Sequence, residues 1–88
     1  MLKEDVIILN RLGLHARPAA LFVQTAARYK SEITVTKDGV DVNGKSVMGM
    51  MMLAAGAGTA LTLTVAGEDE ADAMGALKGL FERKFDEE

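Results

Sequence analysis

Two stretches of the chain, "EITVT" (residues 32–36) and "TALTLTVA" (residues 59–66), alternate threonine with aliphatic residues. This alternation limits the fold more than any other feature. Successive side chains of a strand point to opposite faces of its sheet. Ile33, Val35, Leu61, Leu63 and Val65 therefore share one face, and the threonines between them share the other. An aliphatic face must be covered, whereas a threonine face can meet water, which is the pattern of an antiparallel sheet layered on one side only. At 88 residues the chain is long enough for one modest core, and the whole of 1–88 reads as a single domain.

The other elements follow from periodicity and punctuation. Val6 and Ile8 alternate with Ile7 and Leu9, which predicts a first strand over residues 2–9. Between residues 16 and 29, Ala19, Phe22, Ala26 and Tyr29 recur at spacings of three and four, the stripe of an amphipathic helix. Pro18 suits its first turn, where a missing N–H costs nothing. "EITVTKDGVDVNG" reads as a hairpin turning at Asp38-Gly39, with Val40 and Val42 continuing the pattern. Ser46 is a good N-cap for a short helix over 47–53, and "GAG" at 56–58 is a turn. Asp69 is the expected cap of a last helix whose buried stripe is Met74, Leu77, Phe81 and Phe85. The order β-α-β-β-α-β-α predicts an α+β open-faced sandwich: a four-stranded antiparallel sheet of order 1-4-2-3, covered on one face by three helices.

Composition removes several function classes. The chain has no cysteine, which excludes a disulfide scaffold, a thiolate metal site and cysteine nucleophilic chemistry, and fits a cytoplasmic protein. "MLKEDVIILN" has two acids among its first five residues and a short apolar run, so it resembles neither a signal peptide nor a membrane span. A net charge of -3 and few aromatics argue against nucleic acid, and clustered metal ligands are lacking. Charge is uneven, however. Acids gather in "GEDEADA" and in the tail "DEE", while Arg11 and Arg17 flank His15 with no acid from residue 6 to 31. That segment suits an anion or an acidic partner.

"GLHARPAA", residues 13–20, holds the only histidine. His15 falls where loop becomes helix. It could be an idle, exposed capping residue, but histidine is a poor N-cap and its cation is disfavoured at the positive end of a helix. Arg17 adds to that, so the imidazole is expected to titrate below an ordinary histidine and to stay neutral and nucleophilic. A phosphoryl group placed on it would meet free backbone N–H groups, the helix dipole and a guanidinium. Further on, Met48, Met51 and Met52 recur at helical spacing. Some belong in the core, but Met48 and Met51 can share an exposed strip, and exposed methionines suit a surface that accepts several partners.

"GLHARPA" resembles the active-site signature of the HPr family, the histidine-containing phosphocarriers of the bacterial phosphoenolpyruvate-dependent phosphotransferase system. "GKSVMGMMMLAA", at 44–55, resembles the family's second motif, and the resemblance covers essentially the whole chain. It implies that enzyme I, charged by phosphoenolpyruvate, passes a phosphoryl group to Nδ1 of His15, which hands it to an enzyme IIA domain. It also implies that Arg17 and the backbone N–H groups of Ala16 and Arg17 hold the group. The second helix would join the first in docking partners through Ala20, Val47, Met48 and Met51. Such a protein has no bound cofactor or metal, is a relay substrate rather than a stand-alone enzyme, and is expected to be a cytoplasmic monomer without nucleic-acid or membrane partners. Capping alone would justify Ser46, but "KSVMGMMMLA" is similar to forms in which HPr kinase/phosphorylase phosphorylates the matching serine. Two regulatory variants share these motifs: the nitrogen-related NPr branch, and the Crh type, which lacks the active histidine and is therefore disfavoured by His15.

Overall fold

A computed structural model describes residues 1–87. Its elements are β1 (Leu2–Ile7), α1 (Ala16–Ala26), β2 (Glu32–Lys37), β3 (Val40–Asn43), α2 (Val47–Met52), β4 (Ala60–Ala66) and α3 (Glu70–Glu82), followed by a 3₁₀ turn at Lys84–Asp86. The strands form one antiparallel sheet in the order β1-β4-β2-β3, as the sequence predicts.

Register turns the threonine–aliphatic alternation into two unlike faces. Ile33 lies beside Val65 and Val35 beside Leu63, and all four are buried under the helices. On the other side Thr34 pairs with Thr64 and Thr36 with Thr62. Carboxylates order this polar face: Thr62 Oγ1 donates to Asp5 at 2.8 Å and Thr36 Oγ1 to Asp41 at 2.6 Å. The hairpin turn places Asp38 and Gly39 at φ 49° and 80°, the left-handed pair that matches the strands' twist. Beneath the helices, Phe22 of α1, Phe81 of α3 and Phe85 stack edge to face, with centroids 6.0 and 4.9 Å apart.

Several boundaries differ from expectation. β1 ends at Ile7 rather than residue 9, although Ile8 still bonds through its backbone to Gly58 and Thr59. α1 ends at Ala26, not Tyr29, because the N–H groups of Arg28 and Tyr29 turn to carbonyls three residues back. Val40 is exposed and Val42 only half-buried, since β3 is an edge strand. α2 stops at Met52 with Leu53 as its C-cap, and β4 begins at Ala60.

Two corrections matter for the site. Asp69 occupies the N-cap of α3 but makes no capping bond. It accepts instead from the Lys30 and Ser31 N–H groups, at 2.8 and 3.0 Å, and from the Ser31 hydroxyl. These bonds, the hydroxyl's above all, hold its carboxyl below the usual range. Phe85 is buried, but not on a helical stripe. After α3 the chain passes through Lys84, Phe85 and Asp86 at φ 55°, 53° and 58°. Left-handed backbone is unfavourable for residues with a Cβ; here the burial of Phe85 against Phe81 holds it. The turn swings the C-terminal segment back onto the start of α1.

Candidate phosphoryl-acceptor site

The loop before α1 is fixed from three sides. Gly13 has φ +70°, and a Cβ there would lie 2.5 Å from the Ala55 carbonyl oxygen, so both conformation and space require glycine. The next N–H, of Leu14, donates to that same carbonyl at 2.9 Å, and the Leu14 side chain is buried. The side chain of Asn10, wholly buried, donates through Nδ2 to the Gly13 carbonyl at 2.8 Å.

This frame sets His15 at the N-cap of α1 in extended backbone, φ -79° and ψ -174°, with no capping bond from its side chain. Its carbonyl accepts the first helical bond, from Ala19 N–H at 3.0 Å. By helix geometry the N–H groups of Ala16 and Arg17 have no acceptor within the helix, and Pro18, buried in the first turn, has none to satisfy. The positive end of the helix is thus presented beside the imidazole.

The imidazole itself turns toward the C-terminal segment. His15 Nε2 lies 2.7 Å from Glu87 Oε2. Asn10 Nδ2 donates to the other carboxylate oxygen, Oε1, at 2.9 Å. Arg17 Nη1 approaches Glu87 Oε2 at 3.4 Å and donates to the Phe85 carbonyl at 3.2 Å. The His15 side chain remains 38% exposed, while that of Glu87 is 12% exposed. Burial pushes the Glu87 carboxyl up, but the bonds from Asn10 and His15 and the charges of His15 and Arg17 outweigh it, and the group is held below the usual carboxylate range. A cavity of about 350 Å³ opens alongside, lined by Arg11, Leu12, Arg17, Asp86 and Glu87.

Glu87 corrects the sequence-based picture. The sequence reading places only positive groups around the ring, whereas a carboxylate from 72 residues along the chain is its hydrogen-bond partner. The acids of the tail are visible in the sequence. What hides their role is the left-handed turn, which no helical or strand period encodes.

The second motif folds as expected at Ser46, and Met48 and Met51 share the exposed strip that the spacing suggests; what differs is which methionine fills the core. Ser46 is the N-cap of α2, and its Oγ accepts from the Gly49 N–H at 3.0 Å. Met50, which the spacing argument did not single out, is the core methionine, wholly buried. Val47, Met48, Met51 and Met52 are exposed. α2 packs against α1, where Ala20 is half-buried, so the two helices that carry the motifs adjoin. Among the described residues no group of His, Cys, Asp and Glu could hold a metal ion, and no helix is long and apolar enough to cross a membrane.

The model of a protein family described as "PTS HPr component phosphorylation site" matches residues 2–83. The phosphocarrier protein HPr of Treponema pallidum (strain Nichols) is 51% identical over 88 residues, all of both chains. The HPr-like protein Crh of Halalkalibacterium halodurans is 50% identical over 84 residues, 96% of this chain and 100% of Crh. A crystal structure of HPr-C-His from Thermoanaerobacter tengcongensis superposes with a TM-score of 0.96 at 50% identity, covering 100% of this chain and 99% of that one.

Proposed function

This chain belongs to the HPr family, phosphocarriers of the phosphotransferase system, and we propose that within the cytoplasm it takes a phosphoryl group from phosphorylated enzyme I onto Nδ1 of His15 and passes it to enzyme IIA domains. The observation that carries this reading is an imidazole at a helix N-cap that does not cap its helix. The N–H groups of Ala16 and Arg17 and the Arg17 guanidinium are then the groups that receive the phosphoryl oxygens, through charge-assisted hydrogen bonds at the positive helix end. Partners dock over α1 and α2, on Ala20, Val47, Met48 and Met51, the last three of which present apolar surface to solvent.

Ser46 regulates this docking when phosphorylated by an HPr kinase/phosphorylase. Its hydroxyl is half-buried at the head of α2, next to Val47 and two residues from Met48. A dianion there would oppose an acidic partner and disturb the apolar strip.

The relay is tested by incubating the protein with phosphoenolpyruvate and a cognate enzyme I. One acid-labile, base-stable phosphoryl group should appear, and His15→Ala should abolish it with the fold intact. An unchanged yield in that variant would refute the assignment.

A further inference from the structure

We infer that Glu87 is a positioning residue for phosphoryl transfer: its carboxylate accepts the Nε2–H of His15 and so holds the neutral ring in the tautomer that leaves a lone pair on Nδ1. The inference rests on His15 being the phosphoryl acceptor, as proposed above.

A neutral imidazole carries its proton on one nitrogen, and the hydrogen bond made by one ring nitrogen decides the state of the other. Here the partner of Nε2 is an oxygen of a carboxylate held below its usual range, so an acceptor only, at 2.7 Å. An acceptor at that distance selects Nε2–H. The carboxylate is itself held in place. Asn10 donates to Oε1 while fixing the Gly13 carbonyl, and Arg17 approaches Oε2 while bonding the Phe85 carbonyl. The loop, the first turn of α1 and the C-terminal segment thus meet on one carboxyl group. Besides Glu87 and Arg17, the charged groups lining the adjoining cavity are Arg11 and Asp86.

The arrangement also serves the transfer step. As the Nδ1 lone pair attacks, an N–P bond forms, and the donor's bond to phosphorus breaks with its electron pair leaving on the donor. Nε2 keeps its proton, so the ring gains a positive charge. The Glu87 carboxylate balances that charge without moving. Onward transfer returns the electron pair of the N–P bond to Nδ1 and restores the same tautomer.

The test reads the ring nitrogens of His15 by ¹⁵N NMR, at a pH where the ring is neutral, together with the rate of phosphorylation by enzyme I. Wild type should carry its proton on Nε2. Glu87→Ala removes the acceptor, should let the tautomers mix, and should slow transfer about tenfold, the lower end of what the loss of a partner orienting a metal-bound histidine costs. Glu87→Gln is nearly isosteric, but its single oxygen cannot serve both Asn10 Nδ2 and His15 Nε2. It should therefore lose the Nε2–H preference as well. Glu87→Asp keeps two acceptor oxygens on a shorter stem and should recover part of both signals. A ring that keeps Nε2–H in both the Ala and Gln variants overturns the inference, and so does a shifted tautomer with an unchanged transfer rate. A wild-type protein that enzyme I cannot phosphorylate at all would refute the carrier reading instead, and the two failures are distinguishable.

Discussion

α1 and α2 begin in opposite ways. Ser46 closes the start of α2 with its own hydroxyl, bonded to the Gly49 N–H at 3.0 Å. His15 sits at the same position of α1, makes no capping bond, and gives its side chain to a glutamate 72 residues away. The first arrangement satisfies the helix locally. The second leaves the orphan N–H groups of α1 for something else, at a cost in local stability. The contrast teaches how to tell a structural helix start from a chemical one. The chemical one forgoes its cap, and other contacts replace the stability it would have given: the long-range ones from Leu14 to Ala55 and from the C-terminal segment to Arg17, and the buried local bond from Asn10 to Gly13.

The sharpest way to break the comparison is to give α1 the cap it lacks. His15→Ser should abolish phosphohistidine formation entirely. Its melting temperature should hold, because a serine cap contributes about 0.5–2 kcal/mol and offsets the part-buried hydrogen bond from His15 to Glu87 that is lost. A marked loss of thermal stability would show that His15, not the surrounding loop, holds this region together.

The converse change acts on α2. Ser46→Ala should cost about 1 kcal/mol through the lost cap and leave transfer from enzyme I near normal. Ser46→Asp keeps an acceptor at the helix start, where a negative charge contributes about 0.3–1 kcal/mol at low salt. It should match wild-type stability, bind enzyme I more weakly, and recover partly as salt screens the repulsion. Tight binding of Ser46→Asp at low salt would make the serine a cap and nothing more.

The smallest effect concerns the third helix start, where Asp69 spends its carboxylate on Ser31 and Lys30 rather than on α3. Its carboxyl is held below the usual range when folded. It therefore contributes stability that is present above the range where a free aspartate titrates and is lost as pH falls through the folded value. Asp69→Asn should accordingly flatten the acid side of a melting-temperature profile against pH. Equal acid slopes in variant and wild type would show that the anchor carries no linked proton.

Much of this molecule is legible from short-range pattern. The threonine alternation foretells both faces of the sheet, Asp38-Gly39 its hairpin, and Ser46 the head of α2, because each depends on neighbours within a few residues. The motif around His15 is legible for the same reason. The methionines are legible only in part: spacing foretells that Met48 and Met51 stay exposed, but not that Met50, rather than any of the three it singles out, fills the core, since only the placement of α2 against α1 and β3 decides which side of a six-residue helix is inward.

By itself, then, the sequence determined the layered sheet, the order of elements and the single imidazole at the head of a helix. Tertiary structure alone decided what that imidazole faces. Glu87 reaches His15 because Phe85 must be buried against Phe81, and burying it bends three residues into left-handed backbone that points the chain back at α1. Periodicity carries information over a turn or two, whereas the meeting of residues 10, 15 and 87 depends on how the whole core closes, and no local signal records that.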